Sequence, residues 1–216
     1  MQQLGPDEFL FLMHGLKWTL LLTVIGFVGG IAFGLLVAVA RVARRRPLRV
    51  AATAWIAVFQ GTPLLLQLFV VYFGLPLLGL NVSAWLAVAV ALTAHASAFL
   101  GEIWRGAIQA VPRGQTEAAH ALGLRWRAYM FEVMLPQALR ISLPATIGFL
   151  VQLLKGTSLA AIVGFIELTR AGQIISNQTY KPILVFGIVG LLYFLMCWPL
   201  SYWGRRAELK LARSSR

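Results

Sequence analysis

The sequence predicts an all-α fold, a polytopic membrane bundle of five transmembrane helices with a helix-turn-helix loop on its cytoplasmic side. Three observations predict it. Of the 216 residues, 59% are hydrophobic and only 12% charged, with a mean hydropathy of +0.78, whereas soluble domains carry roughly 25% charged residues. Five apolar stretches approach or exceed the roughly 20 residues that a spanning helix needs. The charges fall between those stretches and gather on alternate connections. A soluble globular protein is excluded by the first observation. A barrel is excluded by the second, because the apolar residues run on without the alternation of a barrel strand.

The spans cover residues 18–40, 51–73, 84–101, 143–164 and 183–203. In the first, Gly26, Gly30 and Gly34 recur every four residues, which stacks them on one face and lets another helix backbone approach closely. The second is interrupted by Gln60-Gly61-Thr62-Pro63. Pro63 cannot donate to the carbonyl of Phe59, so an open acceptor is left that protein, Thr62 or water must cover. Gln60 and Gln67 are seven residues apart, two turns on one face, and form a polar stripe that lines a water-filled pathway or bonds to another helix. The third span carries a small-residue stripe, Ala87, Ala91, Ala94 and Ala98, and one interior histidine, His95. The fourth holds Lys155 near its middle, where a lysine costs roughly 2.5–3.5 kcal/mol. Gly156, Thr157 and Ser158 follow and make this helix locally polar. Lys155 either serves the pathway or pairs with a carboxylate such as Glu102, at the end of the third span. The fifth span contains no charge.

Lys and Arg counted by connection give the topology. Arg41, Arg44, Arg45, Arg46 and Arg49 follow the first span, Arg105, Arg113, Arg125, Arg127 and Arg140 flank the third connection, and Arg205, Arg206, Lys210, Arg213 and Arg216 follow the fifth. The other side holds only Lys17, Arg170 and Lys181. The N-terminus is expected outside and the C-terminus in the cytoplasm. The formal net charge of +12 is therefore mostly topology, which removes nucleic acid as a partner. No basic segment precedes Lys17, so the first span is expected to be retained. With no repeat or composition break, residues 1–216 read as a single membrane domain. The single cysteine, Cys197, excludes an intramolecular disulfide and a cysteine metal cluster.

The third connection is too long for a turn and still reads as helical. Residues 117–122 form a short helix with Ala118, Ala119 and Leu122 on one side, Gly123 ends it, and residues 126–134 start a second helix that Pro136 closes. This pair docks into a groove on a partner protein or lies in the lipid interface. No GxxxxGK[ST], HExxH or GxSxG is present, and His14 and His120 fall on opposite sides of the membrane. No catalytic or metal-binding residue is assigned and the chain is not an enzyme by itself. The rival readings are a passive channel, which would not need a docking loop, and an intramembrane hydrolase.

At the loop residues the chain resembles the permease subunits of bacterial ABC importers. Their cytoplasmic loop reads Glu-Ala-Ala, three residues, Gly, nine residues, Ile, one residue, Leu-Pro. Here Glu117-Ala118-Ala119, Gly123, Val133 and Leu135-Pro136 keep every spacing, with Val in place of Ile. More narrowly, GTPLLLQLFVVYFGLP (61–76), GEIWRGAIQAVPRGQTEAAHALGL (101–124), LPQALR (135–140) and LKGTSLAAIVGFIELTRAGQ (154–173) are similar to the polar amino-acid branch, the histidine and glutamine type. The resemblance implies a permease in the bacterial inner membrane, paired with a second permease as homo- or heterodimer on two ATPase subunits. It also implies a periplasmic amino-acid-binding protein that delivers the substrate. ATP and Mg would be bound by the ATPase, with no cofactor on this chain. Residues 113–136 would be the coupling loop, with Arg113, Glu117, Ala118, Ala119, Gly123 and Arg125 at the ATPase. The substrate pathway is expected to use polar groups within or beside the spans: Gln60, Thr62, Gln67, Glu102, Lys155, Thr157 and Ser158. The family usually has Arg at the position of Gln60 and an acid at that of Gly156, so both departures remove charge from the pathway.

Overall fold

A computed structural model describes residues 5–43 and 45–214. Arg44 and Arg216 of the basic tally, like residues 1–4 of the N-terminal segment, lie outside the described residues. Among the described residues there are helices and no strands: α1 (Pro6–Val42), α2 (Arg46–Gly61), α3 (Leu64–Leu77), α4 (Ala84–Ala110), α5 (Arg113–Ala121), α6 (Trp126–Val163), α7 (Leu168–Thr179) and α8 (Pro182–Ser214). Helices α1, α4, α6 and α8 are each long and apolar enough to cross a membrane, and α2 with α3 is so only as a pair, bent at the break between them.

Helix α1 begins well before the expected residue 18. Pro6 at its first turn is pre-set for helix, Asp7 and Glu8 favour the positive end of the dipole, and the Glu8 carboxylate accepts from the Gly5 N–H at 2.8 Å. At 37 residues the helix is about 55 Å long, more than a bilayer core, and its first turns lie against α7. Its buried residues form one stripe, Leu12, Gly15, Thr19, Leu22, Thr23, Gly26, Gly30, Gly34 and Ala38. The glycines of that stripe meet α4: a Cβ on Gly26 would stand 2.9 Å from Leu92 Cβ, and one on Gly34 3.1 Å from the Ser97 carbonyl. Contacts rise together in number along both helices, so α1 and α4 run parallel.

Helix α4 is the central column, with Leu92, Ala96 and Leu100 at its core among Leu22, Leu68, Phe149 and Leu153. Its Trp104 indole donates to Thr146 of α6 and its His95 ring faces Phe149, so α6 is antiparallel to it. In turn Gly204 of α8 lies on Ile147 and Cys197 on Val151 and Leu154, which makes α8 antiparallel to α6. The end of α1, the end of α4, the start of α6 and the end of α8 therefore share one pole of the bundle. That pole carries the basic connections.

Two expectations fail on backbone detail. Pro136 does not close a helix: the chain runs on from Trp126 to Val163, 38 residues, through a widened turn at Tyr129–Met134. The widened turn stands directly before the proline, whose missing N–H leaves the carbonyl four residues back without its usual donor. A second widened turn, Val70–Gly74, stands before Pro76 in α3, for the same reason. The second span is interrupted where expected, with α2 and α3 bent by 107° at Thr62-Pro63, but the face expected to run on through Gln60 and Gln67 is not continuous across the bend.

Candidate functional site

The docking element is built from the loop upward. Helix α5 starts at Arg113, directly after Pro112, and ends where Gly123 adopts φ +65°, a left-handed conformation that glycine takes without strain. Its amide donates to the His120 carbonyl and that of Leu124 to the Ala119 carbonyl, both at 3.0 Å. Ala119 is buried with Val111, Tyr129, Met134 and Ala138. The Thr116 and Tyr129 hydroxyls bond at 2.8 Å. Helix α5 is thereby fixed to the base of α6.

The expected apolar side of α5 is divided: Ala119 faces inward while Ala118 and Leu122 face out. Leu122 is 78% exposed and Trp126 67%. Arg113, Glu117, Ala118, Gly123 and Arg125 are exposed with them. An outward surface of one carboxylate, two guanidiniums and two large apolar side chains fits a protein partner better than solvent.

The broken helix is more completely paired than its sequence implies. The Phe59 carbonyl freed by Pro63 accepts from the Gln67 amide at 2.8 Å, and the same amide nitrogen donates to the carbonyl and hydroxyl of Thr62, both at 3.0 Å. The Gln67 carbonyl oxygen lies 3.0 Å from His95 Nδ1. Gln67 and His95 are both buried, and the Thr62 hydroxyl donates to the Val58 carbonyl at 2.7 Å. The bend also separates Gln60 from Gln67, which share no face. Gln60 lies in the last turn of α2 and is exposed. Gln67→Leu orphans two carbonyls and a ring nitrogen, each worth about 1–3 kcal/mol. Thermal unfolding of the purified variant is expected to show this loss, and unchanged stability with weakened substrate binding would instead put Gln67 in the pathway.

Lys155 lies in the last α-helical turn of α6, directly before the helix tightens at Thr157–Val163. It is exposed and makes no ion pair among the described residues. The expected pair with Glu102 is absent because Glu102 is held by Arg105 on its own helix, with Arg41 Nε 3.9 Å away. Thr157 is fully buried, its hydroxyl on the Leu154 carbonyl, whereas the half-buried Ser158 bonds the Lys155 carbonyl, each at 2.7 Å. Gly156 abuts Leu64, where a Cβ would come to 3.0 Å. The end of α6 and the start of α3 therefore touch at the bend. Among the described residues no cluster of His, Cys, Asp and Glu could hold a metal.

Sequence reasoning missed Glu167. This carboxylate is fully buried at the start of α7. It accepts from the backbone N–H groups of Thr169 at 2.9 Å and Arg170 at 2.8 Å and from the Tyr193 hydroxyl at 2.9 Å. The Thr19 hydroxyl lies 3.4 Å away and itself accepts from the Leu168 N–H at 3.1 Å. Burial pushes this carboxyl above its ordinary range, and the N–H donors pull it back. The only local signal was an acid directly before a small-residue amphipathic segment.

Residues 30–208 match the family described as the binding-protein-dependent transport system inner membrane component. The chain is 36% identical over 208 residues to the probable glutamine ABC transporter permease protein GlnM of Bacillus subtilis (strain 168), covering 96% of each chain. It is 35% identical over 202 residues to the arginine transport system permease protein ArtQ of the same organism, covering 93% of this chain and 92% of that one. A crystal structure of an amino acid ABC transporter with histidines superposes with a TM-score of 0.87 at 36% identity, over 93% of this chain and 94% of the other. With the bent α2–α3 pair, the docked α5 and matches over almost its whole length, the chain belongs to the inner membrane components of binding-protein-dependent transport systems, ABC importer permease subunits that are not enzymes and leave ATP hydrolysis to separate subunits.

Proposed function

We propose that this chain forms half of the membrane pathway of an importer for polar amino acids. The substrate would be delivered by a periplasmic binding protein, and the chain would pair with a second permease on two ATPase subunits. The relatives named for glutamine and arginine support the substrate class. The basic pole faces the cytoplasm in this reading, by the positive-inside preference, which puts the N-terminus outside and the C-terminus inside. ATP and Mg stay on the ATPase, and no cofactor is assigned to this chain.

The observation that carries the coupling reading is the fixed attachment of the exposed α5 to α6. An ATPase cleft that grips Arg113, Glu117, Ala118, Leu122 and Arg125 moves α6 when nucleotide closes the dimer, with Ala119 and Gly123 setting the shape of α5. Because α6 continues without a break to Val163, through a widened turn at Tyr129–Met134 and a tightened one from Thr157, the displacement is carried toward Lys155 and the α2–α3 bend. Two packings of one bundle are then selected by nucleotide. Of the polar pathway residues, Gln60 and Lys155 are exposed and free for an amino acid's charged ends, while the Ser158 hydroxyl is bonded to the Lys155 carbonyl. Gln67, Thr62, Thr157 and Glu102 have theirs bonded within the chain and act by shaping the bend and the basic pole.

Glu117→Arg tests this reading, since an exposed side chain on α5 can be reversed without harm to the fold. Reversal of one interfacial charge costs about 2–5 kcal/mol, so uptake and binding-protein-stimulated ATP hydrolysis are expected to fall at least tenfold while the permease stays folded. Undiminished uptake with the ATPase still bound would contradict the docking role of α5.

A further inference from the structure

At the basic pole α6 and α8 enclose a cleft of about 500 Å³ lined by Arg140, Leu143, Trp203, Arg206, Ala207 and Lys210. The spacing of the α8 residues, three, four and seven apart, puts them on one helix face. Three cations thus converge on one cleft. All three are exposed, and none pairs with a carboxylate among the described residues. The nearest acid in sequence, Glu208, lines a different recess with Arg205, Pro144 and Gly148. Trp203 is 63% exposed at the cleft, and the Arg206 guanidinium covers the Tyr202 ring at 4.6 Å, an aromatic and basic set of the kind found at headgroup depth.

Arg140 and Leu143 also line a second cavity of about 520 Å³ between α1, α4 and α6, whose other walls include Leu35, Val39, Leu139 and Trp104. One cavity is cationic and its neighbour greasy, and they share two residues. A soluble anion matches the first alone. A molecule with an anionic head and an acyl tail matches both, because guanidiniums bind phosphate in a planar fork and basic pockets between membrane helices select acidic headgroups.

We propose that this cleft is a binding site for one anionic phospholipid of the cytoplasmic leaflet, its headgroup on Arg140, Arg206 and Lys210 and an acyl chain in the adjoining apolar cavity. The site requires only that the basic pole lie in a membrane and does not depend on which substrate is carried. The lipid phosphate relieves part of the repulsion among three like charges and ties α8 to α6.

Native mass spectrometry of the full-length chain, purified in micelles containing equal phosphatidylglycerol and phosphatidylcholine, tests the site. The wild type is expected to retain phosphatidylglycerol selectively. The triple variant Arg140→Gln/Arg206→Gln/Lys210→Gln is expected to bind it roughly 100-fold more weakly, at about fivefold per charge. Arg45→Gln/Arg46→Gln/Arg49→Gln, which removes as much charge from the same pole, should retain it, and glycerol phosphate should not displace it. Equal loss in both variants, equal retention of phosphatidylcholine, or displacement by glycerol phosphate would overturn the proposal. So would a cleft variant that sheds the ATPase from the purified complex while holding its lipid. A phosphatidylglycerol bearing a diazirine on its acyl chain, applied to the wild type, keeps the test open if the triple variant does not fold: labelling is expected on peptides containing Leu35, Val39, Leu139 or Leu143, which line the apolar cavity, and labelling confined to other peptides contradicts the site.

Discussion

Gly30→Leu is expected to abolish accumulation of folded protein in the membrane. A Cβ at Gly30 would overlap the Cβ of Ala96, and its backbone carbonyl carbon would be 3.2 Å away. Neither atom belongs to a flexible side chain, so α1 must separate from α4 along their most extensive pairing. Overpacking a core typically costs about 1–3 kcal/mol and occasionally more, and here the clash is with backbone at the centre of the bundle. Close approach of small residues is what associates membrane helices when apolar burial gives no advantage over lipid. Gly30→Ala should therefore lower thermal stability as well, and Ala96→Gly on that background should restore part of it. Fluorescence-detected size exclusion after heating reads both effects. A Gly30→Leu variant as stable as the wild type would mean that α1 does not sit on α4 in this register.

Glu167→Ala is expected to release α7 from both α1 and α8. The carboxylate is the shared acceptor for two backbone N–H groups and the Tyr193 hydroxyl, and Thr19 of α1 completes the cluster. Orphaning several buried donors costs on the order of 3–5 kcal/mol, while Glu167→Gln, which keeps one acceptor oxygen, should lose about half. Protease cleavage near α7 and thermal unfolding report the two variants in that order. Loss of uptake with unchanged stability and unchanged cleavage would make Glu167 a transport residue instead of a clasp.

What could be read along the chain was whatever depends on neighbours in sequence. Charge placement separated the apolar stretches, the four-residue glycine spacing located the packing face of α1 but not its partner, and Gly123 located the end of α5. The misread features each depend on a compensation that only the fold supplies. Pro136 reads as a helix end because its missing donor is visible, whereas the widened turn that absorbs it is not. The early turns of α1 carry Asp7, Glu8 and Lys17, and polarity hides helicity in a membrane chain. Gln67 meets His95 across 28 residues and Thr19 meets Glu167 across 148. No local pattern announces either pair. A polar residue inside an apolar run therefore suggests a pathway until its partner is known.

Proteoliposomes holding this chain with its ATPase, binding protein and radiolabelled amino acid on one side and ATP on the other, separate a driven importer from a passive route. Accumulation against the gradient is expected only when ATP can be hydrolysed and the binding protein is present, with Glu117→Arg collapsing both uptake and stimulated hydrolysis. Equilibration down the gradient without ATP, at a rate the binding protein does not change, would contradict the importer.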